Sequence, residues 1–139
     1  MKKLSLIILG VLILFISGCK PIGYPYMYEK VEISCVKIVF ITKSESPNYS
    51  YDILIEIEDI QAFTDDLDKL EFHRYLIGDP TDLSEGYRVI LIEYSNGNYE
   101  LIHNYAQARI INGEYYFGKV NCDEQEFNEL LDKYLNIEQ

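Results

Sequence analysis

The chain has 139 residues and a formal net charge of −11, set by 23 acids against 12 bases. That field repels phosphate backbones, and no basic stripe reverses it locally, so nucleic acid is excluded as a partner. The length supplies one hydrophobic core and is too short for two.

Lys2 and Lys3 open the chain, and Leu4 to Ile16 is an apolar run broken only by Ser5 and Gly10. Spanning a bilayer takes roughly 20 apolar residues, and this run falls short. A basic start, a short apolar stretch and a small-residue exit describe a secretory signal. The exit reads Ile16-Ser17-Gly18-Cys19. It resembles the lipobox of bacterial lipoproteins, an aliphatic residue and two small ones before an obligatory cysteine. The resemblance covers the first nineteen residues. It implies cleavage between Gly18 and Cys19 and a diacylglyceryl group on the Cys19 sulfur. The chain would then be held at the extracytoplasmic face of the cell membrane, because two acyl chains anchor where one binds only marginally. An ordinary signal peptide with a chance cysteine, or an uncleaved anchor, is the alternative. Cleavage takes two lysines and no acids, which leaves a mature chain of charge −13.

Lys20 to Tyr28 reads KPIGYPYMY, where two prolines and a glycine block regular structure. Residues 19–28 are thus the lipidated cysteine and a tether, and 29–139 a single domain. Nine extended residues reach about 30 Å, so the tether keeps the domain near the bilayer. Tyr24, Tyr26 and Tyr28 suit either the headgroup level or the start of the first strand, and strand propensity favours the second.

Glu29 to Thr42 is rich in β-branched residues, and its apolar alternation changes phase at Cys35-Val36. Such a change indicates a bulge or a strand covered on both faces. After a Ser/Pro/Asn loop, Tyr51, Ile53, Ile55 and Ile57 alternate with Asp52, Leu54, Glu56 and Glu58 as a second strand. Asp59 is the expected N-cap of a helix whose stripe is Ile60, Phe63, Leu67 and Leu70. A short strand over Phe72 to Ile77 leads into the acidic loop Gly78 to Gly86. Tyr87 to Tyr94 and Tyr99 to Asn104 flank Asn96-Gly97, the preferred centre of a type I′ turn. That turn puts Tyr94 opposite Tyr99, Ile92 opposite Leu101 and Ile90 opposite His103. A second pair, Asn112-Gly113, puts Ile110 opposite Tyr115, Ala108 opposite Phe117 and Arg109 opposite Tyr116. Asp123 and Glu126 form a capping-box pair before a helix with Phe127, Leu130, Leu131, Tyr134 and Leu135 on one stripe.

The predicted fold is α+β: an antiparallel sheet in the order β-β-α-β-β-β-β-β-α, with both helices on one face. The ending of residues 87–135, with three strands, two Asn-Gly turns and a helix, is similar to small uncharacterised lipoproteins of low-GC Gram-positive bacteria. That likeness implies no activity. Scarce alanine (Ala62, Ala106 and Ala108 only) and frequent isoleucine agree with an AT-rich genome.

Catalytic constellations are missing, so no catalytic residue is assigned. His103 falls on an apolar strand face, where a hydrogen-bonded core histidine is the simpler reading. His73 stands beside Arg74 with no motif. Cys122 precedes the last helix, whose dipole would lower a thiol pKa, but a nucleophile also needs a base. No zinc spacing and no calcium loop is present; Asp79, Asp82 and Glu85, and Glu93 facing Glu100, read as solvated acids. No cofactor or metal is expected to be needed for folding. A Cys35–Cys122 disulfide is allowed outside the membrane, with two free thiols the preferred alternative. The function expected is a non-catalytic binding or accessory module that meets a protein or envelope polymer. Its support is thirteen tyrosines, all in the mature chain. The competing reading is a small envelope-modifying enzyme using Cys122 or His103.

Overall fold

A computed structural model of the protein describes residues 32–45, 48–75 and 83–137. The signal, the lipobox, the tether and most of the acidic loop, with Asp79 and Asp82, lie outside the described residues. In chain order the elements are β1 (Ile33–Glu45), β2 (Asn48–Glu56), α1 (Ile60–Leu67), β3 (His73–Tyr75), β4 (Arg88–Tyr94), β5 (Tyr99–Ile102), β6 (Ala106–Ile111), β7 (Glu114–Asn121) and α2 (Glu124–Ile137). The strands form one antiparallel sheet in the order β2-β1-β4-β5-β6-β7-β3, which makes it an α+β fold.

Each helix is started by an aspartate. Asp59 Oδ1 accepts from the Ala62 N–H at 3.0 Å, and Asp123 Oδ1 accepts from the Glu126 N–H at 3.0 Å. Both bonds satisfy donors that a helix start leaves without an intrahelical partner. The stripes follow the periodicity. Phe63 and Leu67 of α1 and Phe127, Leu130 and Leu131 of α2 are buried in one cluster with Val36, Ile38, Ile90, Ile92 and Ile102 of the sheet. Burying each phenylalanine stabilises the fold by about 2 kcal/mol over leaving it exposed. The helices are also tied to each other through Asp66, which accepts from Lys69 at 2.7 Å, from the Tyr134 hydroxyl at 2.7 Å and from Lys133. These three donors hold the Asp66 carboxyl well below its ordinary pKa.

A second buried cluster occupies the opposite face of the sheet. It joins Val39, Ile41, Val89, Leu91, Leu101, Ala106 and Ala108 to Leu83, with Tyr49, Tyr87, Tyr99, Tyr105 and Phe117 packed against it. The segment carrying Leu83 is fastened to β1: Gly86 N–H donates to the Ile41 carbonyl at 2.9 Å, and Ile41 N–H to the Tyr87 carbonyl at 2.8 Å. β1 and β4 are therefore apolar on both faces. The phase change near Cys35 reflects this, together with a register shift between Ile33 and Cys35 against β4.

Two expectations are corrected here. In the β4–β5 hairpin Ile90 pairs with Ile102, Leu91 with Leu101 and Ile92 with Glu100, one residue away from the type I′ register. In β2 the alternation does not define one face. Ile38 pairs with Ile55 and Val39 with Ile53, so Leu54 is an extra residue, a bulge that sends Ile55 to the helix side and Ile53 to the other.

Candidate functional site

His103 leaves β5 after Ile102 and starts a tight turn into β6, its N–H donating to the Ala106 carbonyl at 2.8 Å. It is not opposite Ile90, because Ile102 takes that place in the register. The ring stacks on Tyr87 at 4.5 Å and meets Tyr105 and Phe127 edge-on at 4.6 and 5.5 Å. Burial pushes its pKa down to about 4, so the ring is neutral at pH 7. A hollow of about 250 Å³ lies beside it, bordered also by Tyr87, Tyr105, Glu124 and Asn128. Burial first, then Tyr87, push the Tyr105 hydroxyl up to about 12, against a lowering contribution from Ser84. These aromatic rings pack on one another along one side of the hollow, and neither the neutral imidazole nor the raised phenol is an activated nucleophile.

Cys122 is buried in the helix-side cluster, and its thiol points to the Asp123 carbonyl at 3.6 Å. The expected lowering by the α2 dipole is overruled. Burial first, then Glu126 and Asp123, push the thiol up to about 11. A hollow of about 410 Å³ brings Cys122 and His73 to one place, with Lys69, Glu71 and Glu126 around them. Nothing in the residue spacing signals that meeting, since it depends on β3 pairing with β7, His73 beside Asn121. A thiol held protonated is a poor nucleophile, however close a histidine stands. Cys35 lies across from Glu93 on β4, its thiol raised chiefly by burial. Both cysteines are free thiols in this structure.

The acids separate. Glu93 and Glu100 do not face each other, because the register pairs Glu93 with Tyr99 and Glu100 with Ile92. Glu93 accepts from Lys37 at 2.9 Å on one face. Glu100 is wholly buried on the other, where the Tyr94 hydroxyl donates to it at 2.9 Å and Arg109 lies 3.8 Å away. Such a pair is structural: buried charge is tolerated only with partners of this kind. Glu85 is exposed. Among the described residues no group of three or more metal-ligating side chains comes together.

The feature that sequence reasoning missed is the outer edge of β2. Of the four large hydrophobic residues exposed among those described, Tyr51, Ile53 and Leu54 lie on this strand, with Ile53 56% and Leu54 44% exposed. The adjacent Ile53-Leu54 pair breaks the polar–apolar alternation, which was the available signal. Where β2 runs into α1, a hollow of about 550 Å³ opens between Ile55, Ile57 and Ala62 and the carboxylates Glu56, Glu58 and Asp65. Lys133 and Tyr134 of α2 close its far side, bonded to Asp66. This arrangement offers main-chain hydrogen-bonding groups, apolar contact area and negative charge side by side. Compared with known protein families, curated proteins and solved structures, the chain matches none.

Proposed function

We propose that this chain is a lipid-anchored, non-catalytic binding module of the extracytoplasmic membrane face, with Cys19 the lipidated residue and both helices on one face of its sheet. The lipobox sequence Ile16-Ser17-Gly18-Cys19 supports the address. The observation that carries the binding role is the exposed apolar edge of β2, which holds three of the four large exposed hydrophobic residues among those described. Soluble domains normally blunt such an edge, and one left open is a surface for contact. The enzymatic reading has one observation behind it, the shared hollow of Cys122 and His73. The raised thiol pKa counts against it.

The address is tested with Cys19→Ala, which should abolish incorporation of radiolabelled fatty acid. Label retained by the mutant would refute lipidation at Cys19. Crosslinking of the lipidated chain in its native membrane, followed by pull-down, should return a partner that is lost when Ile53→Lys blocks the edge. Turnover of an envelope substrate that fails in Cys122→Ser would favour the enzyme instead.

A further inference from the structure

We infer that β2 takes an extended cationic peptide segment as an added strand, with a basic side chain of that segment entering the hollow beside Ile55–Ile57. The inference rests on the binding-module reading above and names the class of partner. β2 is one of the two sheet edges, with β1 on one side only among the described residues. An edge strand presents unpaired N–H and C=O groups at the spacing a second strand requires. The bulge at Leu54 bounds the edge to Asn48–Ile53, along which β1 carries a second register shift between Ile41 and Lys43 while β2 runs on unbroken, so the partner strand is about six residues long, roughly 20 Å. Tyr51 and Ile53 project on one side of that edge and supply apolar contact for alternate residues of the partner.

Charge decides the kind of partner. β2 contains Asp52 and Glu56 and no basic residue. Beyond it the hollow is bordered by five carboxylates, Glu56, Glu58, Asp59, Asp65 and Asp66, against the ammonium groups of Lys69 and Lys133. Both lysines are committed to Asp66, Asp59 caps α1 and Asp65 accepts from the Gln61 side chain at 2.8 Å, so Glu56 and Glu58 are the carboxylates that meet a guest cation. A second copy fits badly. Antiparallel pairing of two β2 edges around Asp52 would set carboxylates opposite one another, and each chain carries a net charge of −11. A segment alternating Lys or Arg with β-branched residues satisfies the backbone, the apolar side chains and the charge together.

The test uses the full chain in neutral detergent micelles and a heptapeptide alternating lysine and valine. Two control peptides accompany it: one with glutamate for lysine, the other N-methylated at alternate amides so that charge is kept and strand pairing is blocked. We expect the lysine peptide to bind and to slow hydrogen exchange at amides of residues 49–54. Ile53→Lys, and separately N-methylation of the peptide, should each weaken binding by about tenfold or more. Equal binding of the N-methylated or the glutamate peptide would overturn the proposal, as would protection of another element, or no binding. Protection of the β2 amides in the free chain that grows with protein concentration would assign the edge to a second copy instead. If the edge fails while Cys19 labelling and membrane crosslinking succeed, the binding module stands and its surface lies elsewhere.

Discussion

The two Asn-Gly hairpins share a dipeptide and differ in backbone. At Asn112-Gly113 both residues have positive φ, 52° and 82°, as a two-residue type I′ turn requires. At Asn96-Gly97 only Gly97 does, at 84°, and the Gly97 N–H donates to the Tyr94 carbonyl at 3.0 Å while Tyr94 N–H donates to Asn98. That is a three-residue loop ending in a left-handed glycine, and it moves the β4–β5 register by one residue. The same two letters thus yield opposite side-chain faces. What differs is the use made of the next residue. Asn98 is buried, donates its own N–H to Asn96 Oδ1, and accepts at its side-chain oxygen from the Asn112 N–H, each at 3.0 Å. The first loop therefore supports the second.

The largest effect should come from breaking the register that this loop sets. In the observed register Glu100 is buried between Tyr94 and Arg109; in the type I′ register it would face away from Tyr94 and carry Arg109, its partner on β6, to the other face with it. Glu100→Ala should cost about 3–5 kcal/mol, because it leaves the largely buried Arg109 without its carboxylate. Urea unfolding measures this. A loss below about 0.5 kcal/mol, the range of an ordinary surface change, would mean that Glu100 and Arg109 are solvated and the buried register is wrong.

The turns themselves come next. Gly97→Val and Gly113→Val should each cost about 1–3 kcal/mol, since both positions have positive φ. A Cβ at either would meet nothing within 4 Å, so the loss reads backbone strain alone. The asparagines separate the hairpins by sign. Asn112→Gly should be tolerated, because it relieves a left-handed non-glycine residue. Asn96→Gly should destabilise by about 1 kcal/mol, through chain entropy and the lost bond to Asn98. Matching losses at 96 and 112 would mean the two turns are alike.

Much of the fold was readable because local signals agreed. The stripes of α1 and α2, their aspartate caps and the Arg109–Tyr116 pairing were all visible in spacing. The β4–β5 register was not. Arg88–Tyr94 is apolar on both faces because Leu83 and the tyrosines bury the second one, so either register hides apolar side chains. The candidate site was hidden for a related reason. A bulge at Leu54 has no sequence mark beyond two adjacent apolar residues, and the hollow beside it exists only once α2 lies across Asp66. The hollow shared by His73 and Cys122 likewise depends on a strand pairing that spacing does not encode.

The smallest effect concerns the far end of the β4–β5 hairpin, where the register puts Ile102 in the sheet and leaves His103 among Tyr87, Tyr105 and Phe127. Its folded pKa of about 4 lies below the ordinary value of 6.5. Above pH 6.5 the ring is neutral in both states and stability is full. As the pH falls from 6.5 toward 4 the unfolded chain binds a proton that the folded chain refuses, so stability declines through that window. Between pH 7 and 5 the loss should be about 1 kcal/mol, once discounted for the ring's partial exposure. Asp66 acts lower. Its folded pKa is depressed from 3.8, so its contribution is intact above that value and is lost only as the pH falls below it. The two groups therefore separate on one titration. His103→Phe keeps an aromatic ring against Tyr87 and removes the proton site, so it should flatten the decline between pH 7 and 5 and leave the steeper loss below pH 4 unchanged. Chemical denaturation at half-unit pH steps would show this, and an undiminished decline in the variant would mean that His103 is solvated and the ring cluster is open.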